Sequence, residues 1–218
     1  MAGDVDRRLR TSGFTRIAGV DEAGRGACAG PLVISAVIFE NLDIPQLRAL
    51  DDSKRLSAQE RERLFEVIVS NALAFSIIEI SAAEIDDYGL HKSNLAGMRR
   101  AVQALDIPPD YVLTDGYAIE GLEVPSLGVW KGDQTSIAIA AASILAKVHR
   151  DHLMMEFDQI HPGYGLSKHK GYLTSYHRQA LLELGPTSAH RHSFKNIAAL
   201  LQPVKPERPS HNEPTEPI

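Results

Sequence analysis

Val20-Asp21-Glu22-Ala23-Gly24-Arg25-Gly26 decides how the chain is read, because it joins an apolar run (16–21) to a glycine-rich turn that extends from Ala23 to Gly30. The run reads as a strand. Pro31 to Phe39, rich in β-branched residues, reads as its hairpin partner. Two adjacent carboxylates therefore stand where a strand enters a turn. A half-buried charge at such a place is costly unless it is paired or bound to a metal. The alternative is a solvated junction, since acids beside glycines are common in turns. Neighbouring strand residues point to opposite faces. Asp21 and Glu22 can serve one centre only if the chain bends at Glu22 or if one of them offers its main-chain carbonyl. The glycines that follow permit such a bend.

Working outward, Ser57–Leu73 has helical spacing, and Ser57 followed by Glu60 is a capping-box pattern. Ala74–Ile80 reads as a third strand, Asn94–Leu105 as an amphipathic helix, and Tyr111–Thr114 as a short strand ended by Asp115-Gly116. A long alanine-rich helix is predicted from Ser136 to about Ile160, capped by Thr135 or Ser136, and another helix over Leu173–Leu184. This mixture implies an α/β domain around one sheet, with a helical C-terminal portion from about residue 160. No internal repeat is present. Pro203–Ile218 carries five prolines and almost no large apolar residue, so 202–218 is expected to be a disordered tail and the folded part to end near Leu201.

Composition narrows the class. The chain has 218 residues, 44% hydrophobic and 23% charged, as an ordinary soluble domain does. It holds no apolar run of about 18 uncharged residues, the length a membrane span requires, and Met1–Arg10 lacks the apolar stretch of a secretory leader. A single cysteine, Cys28, cannot form an internal disulfide, which fits a reducing compartment; the cytoplasm is the expected location. The net charge of −5 argues against a polyanion partner only as an average. Between His161 and Lys195 stand five Lys or Arg, one acid (Glu183) and five of the nine histidines. The charge is segregated.

Two further acids sit in settings like that of Asp21. Asp115 ends a strand and precedes Gly116, which is also how a turn-forming Asp-Gly pair looks. Asp133, in Lys131-Gly132-Asp133, precedes the long helix and could simply face its positive dipole end. If the four acids converge, they repel one another unless a cation neutralises them. Oxygen-only ligation selects Mg²⁺ or Mn²⁺ over zinc, and Cys28 has no partner at zinc-ligand spacing. Such a cluster suits phosphoryl transfer with two ions about 4 Å apart.

Taken in order, these motifs resemble bacterial ribonuclease HII. Ala18–Gly26 with Gly30-Pro31-Leu32-Val33, then Asp51–Ser57, Thr114-Asp115-Gly116, Lys131-Gly132-Asp133, Ser143–Asp151, His169-Lys170-Gly171-Tyr172 and His190–Phe194 follow the family's sequence of motifs over about 175 residues. The resemblance implies an RNase H-like fold and a metal-binding catalytic set of Asp21, Glu22, Asp115 and Asp133. It also implies endonucleolytic cutting of the RNA strand of RNA/DNA hybrids and cutting 5′ of ribonucleotides embedded in duplex DNA. The products would carry 3′-hydroxyl and 5′-phosphate ends, and the enzyme is expected to act as a monomer. Gly24, Arg25 and Gly26 would sense the ribonucleotide, and Tyr172 would stack on the sugar after it. The chain departs from the pattern at His192, where many members carry arginine, and in the proline-rich tail. The sister family, ribonuclease HIII, has a substantial extra N-terminal domain, whereas here 15 residues precede the first strand.

The residue types agree with that substrate. The 2′-hydroxyl distinguishes RNA from DNA and both donates and accepts hydrogen bonds, and a Gly-Arg-Gly turn exposes main-chain groups that can approach a sugar closely. Arg25 would touch a phosphate or order the turn. Lys54 could hold a phosphate away from the cut, although a loop lysine before a helix is commonly just solvated. Tyr172 follows the basic run Lys168-His169-Lys170; it could instead be a core tyrosine at the start of the last helix. Lys147, Arg150 and Asp151, at helical spacing, read as salt-bridged on the long helix. Rival readings are another carboxylate-cluster nuclease (an exonuclease or strand transferase) and an inactive hybrid-binding module.

Overall fold

Strand β2 (Leu32–Ile38) is buried along its whole length, and its alternating side chains serve two separate helical layers. The computed structural model describes residues 3–47, 50 and 56–201. Within these, strands β1 (Ile17–Ala23), β2, β3 (Ala74–Ile80), β4 (Tyr111–Asp115) and β5 (Ser126–Val129) form one mixed sheet in the order β3-β2-β1-β4-β5. β1 runs antiparallel to β2 and parallel to β4, β2 is antiparallel to β3, and β4 is parallel to β5.

The helices are α1 (Asp4–Thr11), α2 (Ala58–Asn71), α3 (Ala82–Tyr88), α4 (Leu90–Gln103), α5 (Ile137–Ile160), α6 (Leu166–His169), α7 (Ser175–Leu184) and α8 (Lys195–Leu201). On one face of β2, Leu32, Ile34, Ala36 and Ile38 share a core with Met98, Ala101 and Val102 of α4. On the other, Val37 packs against Ile137, Ala140 and Ala141 of α5, and Ser35 donates to the Ala142 carbonyl at 2.6 Å. Burying each such Val, Ile or Leu contributes roughly 1.5–3 kcal/mol, so the central strand is anchored on both sides. α5 crosses β1 so closely that a Cβ at Gly19 would lie 2.0 Å from the Ala138 carbonyl carbon. That contact sets where α5 begins relative to Asp21.

Several expected elements are present. Ser57 and Glu60 form a reciprocal capping box at α2, and Ser136 caps α5 by accepting from the Ile139 N–H. The differences are informative. β1 runs two residues past its expected end, so Asp21 and Glu22 lie inside the ladder, opposite Ser35 and Ile34, rather than at a solvated junction. α4 starts at Leu90 instead of Asn94, and α1, α3 and β5 lie outside the elements that the sequence predicts. Asp6 of α1 is buried against the start of α5, where it accepts from Ser136 Oγ (2.9 Å) and the N–H groups of Ile137 (3.0 Å) and Ala138 (3.3 Å). It thereby satisfies donors that a helix start leaves unpaired. Lys54 and the stretch 202–218 lie outside the described residues. Among the described residues, no helix is long and apolar enough to cross a membrane.

Candidate active site

The parallel register Val20↔Thr114 makes Asp21 and Asp115 the next residues on adjacent strands. Asp133 arrives from a single 3-10 turn, Gly132–Gln134, just ahead of α5. The Gly132 N–H donates to Asp115 Oδ1 at 2.7 Å and ties that turn to β4. Asp21 is buried on the α5 side of the sheet beside Ser143, whereas Glu22 points to the α4 side beside Asn94. The opposite facing of strand neighbours thus holds here. Even so, Glu22 shares one hollow with Asp115 and Asp133, along with Arg25, Tyr117, Trp130 and Lys131. Acids from three separate stretches of the sequence, 21–22, 115 and 133, thus gather at one end of the sheet, with Asp21 near enough to feel the charges of Glu22 and Asp115.

Their electrostatics fit that crowding. Burial, then the charges of Glu22 and Asp115, push the Asp21 carboxyl well above its ordinary range. Burial raises Glu22 as well, Arg25 partly offsets this, and Asp115 adds to it. The Arg25 guanidinium lies 3.8 Å from Glu22 Oε1 and 4.9 Å from the centre of the Tyr117 ring. Glu22 Oε2 is buried without a hydrogen-bond partner, as is the amide of Asn94; the two lie near enough for Asn94 to favour the charged carboxylate without completing a well-formed bond. Among the described residues no three Asp, Glu, His or Cys side chains already close on one point as a finished metal cage. Carboxylates this near one another repel, and a hard cation between them would offset that repulsion. An all-oxygen donor set with an unsatisfied carboxylate oxygen fits a hard divalent ion.

The glycine-rich turn is clamped from behind. Gly24 has φ 89°, and a Cβ there would lie 1.9 Å from Arg150 Nε. Arg150 is buried and donates to the carbonyls of Pro31 (2.9 Å), Lys170 (2.9 Å) and Ala29 (3.1 Å). The expected salt bridge on α5 therefore joins Lys147 to Asp151 at 2.5 Å, and Arg150 faces inward instead. Arg191, also buried, donates to the Gly30 carbonyl through Nε (3.1 Å) and Nη2 (3.0 Å) and to the Arg25 carbonyl through Nη1 (3.1 Å). Burial, then the nearby Arg150 charge, lowers its pKa to about 10. The N–H groups of Cys28 and Ala29 donate to the Gly171 carbonyl, which joins this turn to the segment bearing Tyr172.

Tyr172 lies outside α7 and is 46% exposed, so it is not a core residue. It lines a second hollow with Glu22, Gly24, Gly26 and Lys147. Its carbonyl is held by a chain of imidazoles. The Thr187 N–H donates to His190 Nδ1 (2.9 Å), which leaves the His190 proton on Nε2. That proton bridges to His177 Nε2 (3.1 Å), and the His177 Nδ1–H then donates to the Tyr172 carbonyl (3.1 Å). His192, the departure at the C-terminal motif, is turned to its own loop, where its Nε2 meets the Thr187 carbonyl at 3.0 Å.

The family model described as Ribonuclease HII matches residues 18–197, which includes every described motif above. The chain belongs to the ribonuclease HII family. It is 50% identical over 196 residues to "Ribonuclease HII" of Salinispora arenicola, covering 90% of this chain and 73% of that protein. To the Rhodococcus erythropolis protein of the same name it is 52% identical over 195 residues, covering 89% and 86%. Among solved structures, the ribonuclease H2 of Pyrococcus horikoshii OT3 superposes with a TM-score of 0.74 at 25% identity, covering 85% of this chain and 96% of that one. Bst-RNase HIII in complex with Mn²⁺ shares the fold at 17% identity, with a TM-score of 0.67 over 87% of this chain and 70% of that one. The protein is a ribonuclease H, an endonuclease that hydrolyses RNA in RNA/DNA hybrids.

Within this ribonuclease HII, the residues missed at the sequence level share one trait: they act on the main chain. Asp6 holds N–H groups at the start of α5, Arg150 and Arg191 hold carbonyls of the glycine-rich turn, and His177 holds the Tyr172 carbonyl. Arg191 and His190 stood in a recognised motif, but no local pattern assigned their targets.

Proposed function

We propose that this ribonuclease HII nicks duplex DNA on the 5′ side of an embedded ribonucleotide as well as cutting RNA strands of hybrids, with Asp21, Glu22, Asp115 and Asp133 holding two Mg²⁺ or Mn²⁺ ions. The observation that carries this reading is the union of Glu22 with two further acids in one hollow and with the Gly24–Gly26 turn and Tyr172 in the next. Acids that bind cations and groups suited to a sugar meet at a single residue. Support for divalent ions comes from the oxygen-only donor set, the unsatisfied Glu22 Oε2 and the Mn²⁺ complex of Bst-RNase HIII.

When bound, the ions supply the positive charge that activates water and steadies the leaving oxygen. The chain's own groups do the rest. Main-chain groups of Gly24, Arg25 and Gly26, stiffened by Arg150 and Arg191, hydrogen-bond the 2′-hydroxyl, so the ribose is recognised beside the acids that hold the reacting phosphate. Arg25 swings between Glu22 and the substrate phosphate. The Tyr172 ring lies against the next sugar and favours a deoxyribose there, because a 2′-hydroxyl crowds the stacked face.

The test is a covalently closed duplex circle with one ribonucleotide, incubated with the protein and Mg²⁺ or Mn²⁺. The expected product is a circle nicked once 5′ of the ribose, which DNA ligase reseals because the ends are 3′-hydroxyl and 5′-phosphate. A protein that degrades long hybrids yet leaves the circle closed contradicts the proposal.

A further inference from the structure

Trp130 is 82% exposed, the most exposed large hydrophobic side chain among the described residues. A lone exposed apolar side chain is ordinary; its position is what sets Trp130 apart. Val129 pairs with Asp115 in the β4–β5 register, so Trp130 is the next residue beyond the partner of a catalytic acid. It lines the hollow that holds Glu22, Asp115 and Asp133. The element that carries it is rigid. The Gly116 N–H donates to the Val129 carbonyl at 3.0 Å, and the backbone at Gly128 lies so close to the 117–118 segment that a Cβ there would come within 2.6 Å of the Ala118 nitrogen. Lys131, immediately after, takes a left-handed conformation (φ 53°) that a residue with a Cβ adopts only at a cost. That twist turns Gly132 and Asp133 inward toward Asp115 while the indole stays outside.

The two hollows meet at Glu22 and Arg25, with Tyr172 lining one and Trp130 and Tyr117 the other. A strand crossing both would have its reacting phosphate over the acids. On the proposed function, on which this inference rests, Tyr172 takes the sugar on the 3′ side of the ribonucleotide. The other hollow then receives the nucleotides 5′ of the cut. We propose that Trp130 is a further substrate-binding residue, a stacking platform for a base or sugar of the cleaved strand on the 5′ side of the scissile phosphate. Base–aromatic stacking tolerates any base, because every base has a π-face, so the contact adds affinity without sequence preference.

Trp130 is the only tryptophan in the chain, which makes its fluorescence a direct reporter. Titrating the uncleaving Asp115→Asn protein with a ribonucleotide-containing duplex in Mg²⁺ should quench the emission saturably. In steady-state nicking, Trp130→Ala should raise KM roughly 5- to 100-fold, the range expected for one stacked base, with kcat changed less than about twofold; Trp130→Phe should recover part of the loss. Shortening the duplex one nucleotide at a time on the 5′ side of the cut should erase the difference between wild type and Trp130→Ala once the contacted nucleotide is gone, and shortening the 3′ side should preserve it. An unchanged emission, an unchanged KM, or a defect that follows the 3′ flank overturns the inference. Wild-type protein that cuts hybrids normally under those results leaves the active-site reading intact, whereas failure to nick at the ribonucleotide at all would strike that reading instead.

Discussion

Arg191 Nη1 donates to the carbonyl oxygen of Arg25 at 3.1 Å, so a fully buried cation from the C-terminal portion fixes the main chain of the turn that follows Asp21 and Glu22. Its remaining donors go to Gly30, and Arg150 holds Ala29 and Pro31. Lysine would keep the charge but lose the planar fork, and each buried carbonyl left unmet costs about 1–3 kcal/mol. Arg191→Lys is therefore expected to lower the melting temperature by several degrees. Because the proposed function has this turn meet the ribose, nicking at a single embedded ribonucleotide should fall roughly tenfold or more. A long hybrid, which offers many binding registers, should lose less. Equal loss on both substrates would show that Arg191 matters only for stability.

The imidazole relay gives a pH dependence with a definite sign. Burial, then the neighbouring His177, lowers His190 from 6.5 to about 4, and burial lowers His177 as well. The unfolded chain then binds protons in a range where the folded chain does not. The contribution of His190 to stability should be level above about pH 7 and fall as pH drops from about 6.5 toward 4, by something on the order of 3 kcal/mol. Urea unfolding at pH 8, 6.5 and 5 measures this. The slope should flatten in His190→Asn, and an equal slope in both proteins would refute the assignment.

Asp21 is held where burial and two like charges disfavour its carboxylate. Replacing it with asparagine removes the repulsion without changing the shape. Asp21→Asn should melt a few degrees higher than wild type in EDTA, gain less stability from added Mn²⁺, and lose at least about a hundredfold in cleavage. Thermal melts with and without Mn²⁺ test all but the last, and a lower melting point in EDTA would contradict the electrostatic picture.

The elements that could be read from sequence were those whose signals are local. The β-branched run of β2, the Ser57–Glu60 box and the serine cap of α5 each carry their cause within a few residues. β5 does not. It is a four-residue edge strand with Leu127 exposed, and only its pairing with β4 identifies it. α1 owes its place to Asp6 reaching the start of α5, some 130 residues away in sequence. The four acids could be named from motifs, but their convergence follows from the parallel β1–β4 register and from the Gly132–Asp115 bond. Arg150 misled for a related reason: it stands beside the Lys147–Asp151 pair on α5 and looks solvent-facing with it, whereas the space left by Gly24 lets it turn inward.

Asp6 offers a test of that long-range support. Its carboxylate caps α5 from outside the helix, and losing such a cap costs about 1–2 kcal/mol. Asp6→Ala is expected to lower stability by that amount and to reduce cleavage more than a surface substitution of equal destabilisation would, since the turn holding Asp133 abuts the same helix start. Urea midpoints and nicking rates measured on the same preparations would check it; full activity at reduced stability would separate Asp6 from the site.

The most direct measurement compares nicking and binding by wild type and Asp115→Asn on one duplex containing a single ribonucleotide, across a titration of Mg²⁺ or Mn²⁺. Wild type should nick only with the metal, and Asp115→Asn should bind the duplex within a fewfold of wild type while cutting it at least about a thousandfold more slowly. Near-normal nicking by Asp115→Asn, or nicking by wild type in EDTA, would contradict a site built from these four carboxylates.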